Sequence, residues 1–138
     1  MAETIRRMDY FYAMVNDKPG QAAKIVEALA VDGVGMLAFS GFPQGKKKSQ
    51  IVFVPEDAKA FRKLAKKMGL DISKTKTGFL LQGEDKTGAL SRAFGKLAKK
   101  KINVTAVDAV ASGGGRYGAV LWVKQKHVDK AAKVLGAK

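Results

Sequence analysis

One pattern occurs twice in this chain. Sliding its 138 residues against themselves by 68 positions superposes Asn16-Asp17-Lys18-Pro19-Gly20-Gln21 on Glu84-Asp85-Lys86-Thr87-Gly88-Ala89. The register runs without a gap from Phe11/Phe79 to Val52/Val120 and holds nine identities, among them Leu29/Leu97, Ala30/Ala98, Ala38/Ala106 and Gly45/Gly113. The matches fall at turn, helix and strand positions in the same order. Such a unit is near the lower size limit for independent burial, because a domain of ~60 residues buries only about 60% of the surface its unfolded chain exposes. The two halves, residues 1–70 and 71–138, are therefore expected to lean on each other or on a second chain.

Within the first half, Tyr10 to Val15 reads as a buried strand and Asn16 to Gly20 as a turn, with Pro19 suited to a first helical turn. Ala22, Ile25, Val26, Leu29 and Ala30 recur at helical spacing until Gly33. Val34 to Phe42 and Gln50 to Val54 read as strands joined by a hairpin. Asp57 is placed to cap a helix carrying Phe61, Leu64, Ala65 and Met68. Asp71 to Lys76 either links the halves or begins a fourth strand. The second half repeats this order: strand Phe79 to Gln82, a helix lined by Leu90, Ala93, Phe94 and Leu97, strands Asn103 to Val110 and Tyr117 to Val123, and a last helix from Val128 to Leu135. The expected class is α+β, with two ferredoxin-like (βαββαβ) units, antiparallel sheets with helices on one face, packed side by side.

Hydrophobic residues make up 46% of the chain, a globular proportion. With no cysteine, thiol nucleophiles and disulfides are excluded. Met1 to Arg7 lacks the apolar core of a signal peptide, and no apolar run approaches the ~20 residues of a membrane span, so a cytoplasmic protein without membrane contact is expected. The net charge of +14 attracts polyanions by simple Coulomb focusing.

The turns after the first strand of each half carry the most suggestive chemistry. A helix N-terminus presents unpaired N–H groups and the positive end of its dipole, which suit a carboxylate. Gly20 and Gly88 leave room for a ligand to approach the backbone, so a bulky residue at position 88 is expected to block it. Asp17 and Asp85 can cap the helix or accept from an ammonium group. The plain alternative is ordinary turn chemistry, since Asp, Pro and Gly are common turn formers.

The turn Asp17-Lys18-Pro19-Gly20, between strand and helix in a βαββα order, resembles that of the ACT domain. Asp85-Lys86-Thr87-Gly88-Ala89-Leu90, followed by Lys101-Ile102-Asn103-Val104, resembles a second copy, and the similarity covers essentially the whole chain. The resemblance implies a regulatory, non-catalytic protein that binds an amino acid or similar small carboxylate where neighbouring domains meet. By that resemblance Asn16, Asp17, Pro19, Gly20 and Gln21 form one candidate half-site. Glu84, Asp85, Thr87, Gly88, Ala89 and Leu90 form the other, with Asn103 and Val104 lining it. No cofactor is implied; the implied partners are the effector, a separate regulated protein and a second copy of the chain. Ala22, Gly35 and Thr87 depart from the family pattern, so the two sites are not expected to bind equally.

The rival is a basic nucleic-acid-binding module on a ferredoxin-like fold. Lys46-Lys47-Lys48, Lys66-Lys67 and Lys99-Lys100-Lys101 could meet phosphates, and Tyr10, Phe11 and Tyr12 invite comparison with base-stacking strands. Against it, Lys48 to Val54 lacks the glycine and paired aromatics of such modules, and the lysine runs sit at a hairpin tip and at helix C-termini, where the dipole favours them anyway. Gly113 to Gly118 matches G-x-G-x-x-G but lies between strands, as a hairpin and not a dinucleotide loop. His127, Ser91 and Trp122 have no catalytic partners in the pattern, and no enzyme activity is expected.

Overall fold

A computed structural model describes residues 3–138 and divides the chain into two compact units. One is Asp9–Lys76; the other joins the residues through Met8 to Thr77–Lys138. The chain thus crosses between units twice, at 8/9 and at 76/77, whereas the repeat suggests a single crossing near 70. The cause is strand β1, which runs from Thr4 to Asn16 and not merely from Tyr10 to Val15.

The Asp9–Lys76 unit contains the C-terminal part of β1, then α1 (Gln21–Val31), β2 (Met36–Pro43), β3 (Lys48–Pro55) and α2 (Ala58–Lys67). Its strands lie in the order β2-β3-β1, all antiparallel, with Phe53 opposite both Phe11 and Phe39. Alternation sends Phe11 and Ala13 to the helix side, where they join Ile25, Leu29, Ile51, Phe53, Phe61 and Leu64 in one core. The Phe61 ring lies 5.2 Å from Phe11 and 4.8 Å from Phe53. Asp57 caps α2 as expected, accepting from the Ala60 amide at 3.1 Å. After α2, residues 70–75 form no strand, and the next strand starts only at Lys76. Ser73 bonds the Tyr12 backbone twice, donating its amide to the Tyr12 carbonyl at 2.8 Å and accepting the Tyr12 amide on its hydroxyl at 3.0 Å. A side-chain oxygen takes the place of a carbonyl there, so no ladder propagates.

The other unit contains β4 (Lys76–Glu84), α3 (Ser91–Lys99), β5 (Ala106–Gly113), β6 (Arg116–Trp122), a 3-10 turn over Gln125–His127 and α4 (Val128–Leu135). Its order is β1-β4-β6-β5, and the place beside β4 is filled by β1 residues through Met8. Neither unit is therefore a βαββαβ in chain order, which corrects the sequence expectation. The polar look of residues 3–9 hides a strand: Ile5 packs on the core of Phe79, Leu81, Leu97 and Leu121, and Arg7 sits 2.9 Å from Asp129 of α4. Glu3 accepts a short hydrogen bond from the Tyr117 hydroxyl. Burial, then this bond and the charge of Glu3, hold the Tyr117 phenol well above its usual range. None of the described helices is long and apolar enough to cross a membrane.

The repeat reappears in individual hydrogen bonds. Asp17 N donates to Lys47 O at 2.8 Å, and Asp85 N to Gly115 O at 2.9 Å. Val34 N to Leu29 O matches Ile102 N to Leu97 O. In the last helices the offset drops to 67, as Gly69 N to Lys66 O matches Gly136 N to Lys133 O. Gly33, just past α1, has φ 66°, and Lys101 holds the equivalent place with φ 58°, the one positive-φ side chain among the described residues.

Phe61→Ala should cost about 3–5 kcal/mol in denaturant unfolding, because it removes the centre of an aromatic cluster. Lys101→Gly should stabilise by roughly 0.5–1 kcal/mol, the left-handed penalty of a side chain less the added entropy of glycine. For Tyr117 the folded pKa lies above the unfolded value, so its contribution is complete below pH 10.0 and is lost as pH rises beyond it. Tyr117→Phe should therefore flatten the alkaline fall of stability when unfolding is measured between pH 7 and 11; an unchanged slope would remove Tyr117 as its source.

Candidate functional site

The β4–α3 turn, strand β5 and the Tyr117 ring border an open cleft of about 340 Å³. The turn contributes Asp85 and Gly88 through Ser91, and β5 contributes Ala109, Val110 and Ala111. The turn is pinned to the β5–β6 hairpin by the Asp85 N to Gly115 O bond and closed by Ala89 N to Lys86 O at 3.0 Å and Ser91 N to Gly88 O at 2.9 Å. Gly88 has φ 78°, and a Cβ there would meet nothing within 4 Å. Glycine is thus required by the left-handed backbone and not by crowding, so a bulky residue at 88 would act first through strain.

Neither first-turn aspartate caps its helix. The N-cap positions are Gly20 and Leu90, without a side-chain bond at either. Asp85 instead lines the cleft. Opposite it, β5 is an edge strand paired only with β6, exposed at every residue, with Val110 at 65%. Its residues are small or β-branched and no helix covers them, so the helix side of β5 opens into the cleft.

Asp85, Gly88, Ala89 and Leu90, all expected at the site, come together in this cleft. Glu84 ends β4 and Thr87 lies in the turn, both outside the lining. Asn103 is exposed and Val104 packs on the core, so the strand wall is formed further along, by Ala109 to Ala111. Ser91, those three β5 residues and Tyr117 were not singled out in the sequence as ligand contacts. The available signal was a strand without large side chains, the mark of an uncovered edge. In the other unit Asn16, Asp17, Pro19, Gly20 and Gln21 form the equivalent turn, with Pro19 before the helix rather than in it. Lys48 Nζ donates to Asn16 Oδ1 at 2.8 Å there. A groove of about 400 Å³ in that unit lies elsewhere, between α1 and α2 along Ala28, Val31, Leu64 and Met68.

The aromatics that invited comparison with base-stacking strands are not available for stacking. Phe11 is fully buried; Tyr10 is buried as well, and burial, then the neighbouring Tyr12, raise its phenol pKa. Tyr12 is half-buried, with Lys76 Nζ 5.3 Å from its ring centre. The glycine-rich run is a hairpin, with Gly114 and Gly115 at φ 63° and 73° between β5 and β6.

No family model matches the sequence, and no curated protein matches it. Among solved structures the chain is similar to protein BT0572 from Bacteroides thetaiotaomicron, with 15% identity and a TM-score of 0.82 over 96% of this chain and 88% of that one. It is also similar to the ligand-free regulatory subunit of aspartate kinase from Thermus thermophilus, with 17% identity and a TM-score of 0.64 over 98% and 93%. The regulatory subunit of aspartate kinase from Thermus flavus gives 17% identity and a TM-score of 0.58 over 98% and 94%. At such identities the likeness is one of fold: the chain has an ACT-like α+β architecture, shared with regulatory domains of aspartate kinase.

Proposed function

We propose that this is a non-catalytic regulatory protein of two ACT-like units that binds an amino acid or similar small carboxylate and so shifts its association with a separate protein. The observation that carries the reading is the cleft at the β4–α3 turn. Its Asp85 carboxylate suits an ammonium group, while the Ser91 hydroxyl and the positive end of the α3 dipole suit a carboxylate. Ala89, Leu90, Ala109, Val110 and Ala111 offer an apolar surface for a side chain. The fold shared with aspartate kinase regulatory subunits supports the regulatory role. Regulation then requires different affinities for different arrangements of the protein, since a ligand that binds all of them equally shifts none.

The thermal midpoint measured against each of the twenty amino acids at millimolar concentration tests this. A ligand at ~100 times its dissociation constant adds about 2.7 kcal/mol, so one amino acid or one chemical class should raise the midpoint. Ala109→Phe would fill the cleft from the exposed edge strand and should abolish that rise while leaving ligand-free stability within about 0.5 kcal/mol. A flat panel for the unaltered protein would end the sensor reading. A normal response from Ala109→Phe would move the site elsewhere.

A further inference from the structure

Because the units repeat, their charges can be compared position by position. Past the middle of α1 come Val31, Asp32 and Gly33, and the Asp32 carboxylate lies 3.3 Å from Lys67 Nζ at the end of α2. The equivalent residues beside α3 are Lys99, Lys100 and Lys101, and no acid occurs between Ser91 and Lys101. The Asp32–Lys67 pair thus has no counterpart beside α3, where Lys100 takes the place of Asp32, although α2 itself carries five bases to the three of α3. Lys130 Nζ of α4 donates to the Lys100 carbonyl at 3.3 Å, which brings the end of α3 and the middle of α4 into one surface. Asp129 is the single acid of α4, and Arg7 already pairs with it. Lys96, Lys99, Lys100, Lys101, Lys130 and Lys133 are all exposed.

Lys101 adds an independent observation. It holds a left-handed backbone at φ 58° where the first unit has Gly33. A side chain is strained there, so the chain keeps a lysine against local conformational preference, and strain of this kind concentrates at functional positions. The face also lacks what other partners need. The exposed large hydrophobics among the described residues lie on β1, α1, β2 and β5, with none on α3 or α4. A single strand would find no ring to stack on, and a protein partner no apolar centre to pack against. Duplex nucleic acid needs only cations spaced along its phosphates.

We propose that the α3–α4 face is a docking surface for the phosphate backbone of double-stranded nucleic acid, separate from the cleft at the β4–α3 turn. Binding of a fluorescent DNA duplex of about 20 base pairs to the full chain, titrated between about 50 and 200 mM salt, tests it. About six phosphate contacts should weaken affinity roughly a thousandfold over that range. Lys101→Gly should lower the slope of log affinity against log salt by about 1 while raising the thermal midpoint, so weaker binding cannot be ascribed to unfolding. Lys99→Gln with Lys100→Gln and Lys101→Gly should lower the slope by about 3. Neutralising Lys46, Lys47 and Lys48 to Gln removes the same charge from the β2–β3 hairpin and should leave most of the slope in place. Absence of duplex binding at the lowest salt, or equal loss in both triple variants, would overturn the proposal. So would displacement of the duplex by polyglutamate at equal charge concentration, which would point to an acidic protein instead.

Discussion

Two hydrophobic cores draw on a single extended strand. Along β1 residues of one parity enter the cores, Ile5 that of Phe79 and Leu121 in one unit, Phe11 and Ala13 that of Phe53 and Phe61 in the other. A slip of one residue in its pairing would turn all of these outward together. Charged residues of the same parity fit the alternation, because Arg7 pairs with Asp129 and Glu3, just before the strand, accepts from Tyr117. Register, ion pairing and core formation are thus different readings of one periodicity.

Much of this was legible in the chain. The 68-residue repeat and the apolar spacing within each half anticipated both turns, all four helices and both hairpins, and N-cap preference anticipated Asp57, because these are local signals. The strand between Thr4 and Asp9 was hidden because it looks polar and Arg7 finds its partner, Asp129, 122 positions away. The choice left open between a link and a strand for Asp71 to Lys76 turns on a similar non-local contact, since the Ser73 hydroxyl takes the Tyr12 amide in place of a backbone acceptor and the next strand starts only at Lys76. At the candidate site, local sequence identified the turn from Asp85 to Leu90 but not its opposite wall. Ala109, Val110 and Ala111 matter because nothing covers them, and the absence of a neighbour leaves only a faint trace in composition.

The two copies share a scaffold and diverge in what they display. Backbone bonds, hairpin glycines and the registers of Phe11/Phe79 and Phe53/Leu121 are retained. The surfaces are not: one helix layer closes with Lys67 on Asp32, the other with Lys130 over a run of lysines. The cores differ too, for the aromatic contacts among Phe11, Phe53 and Phe61 have Phe79, Leu121 and Val128 as their counterparts. A duplicated unit of this size has few residues that are free of structural duty, and those few are where the copies part company.

The double crossing at 8/9 and 76/77 has a consequence for the order of events during synthesis. The stretch from Asp9 to Lys76 is complete as soon as residue 76 is made, and it carries its own core. Thr4 to Met8 are made before it, yet their partners on β4, β6 and α4 come after. At about 5–20 residues per second the N-terminal half of β1 waits several seconds for a strand to pair with. During that interval Ile5 and Met8 lack the later residues that bury them. The charges at Glu3, Arg6 and Arg7 then have a second use, keeping that waiting segment soluble until β4 arrives.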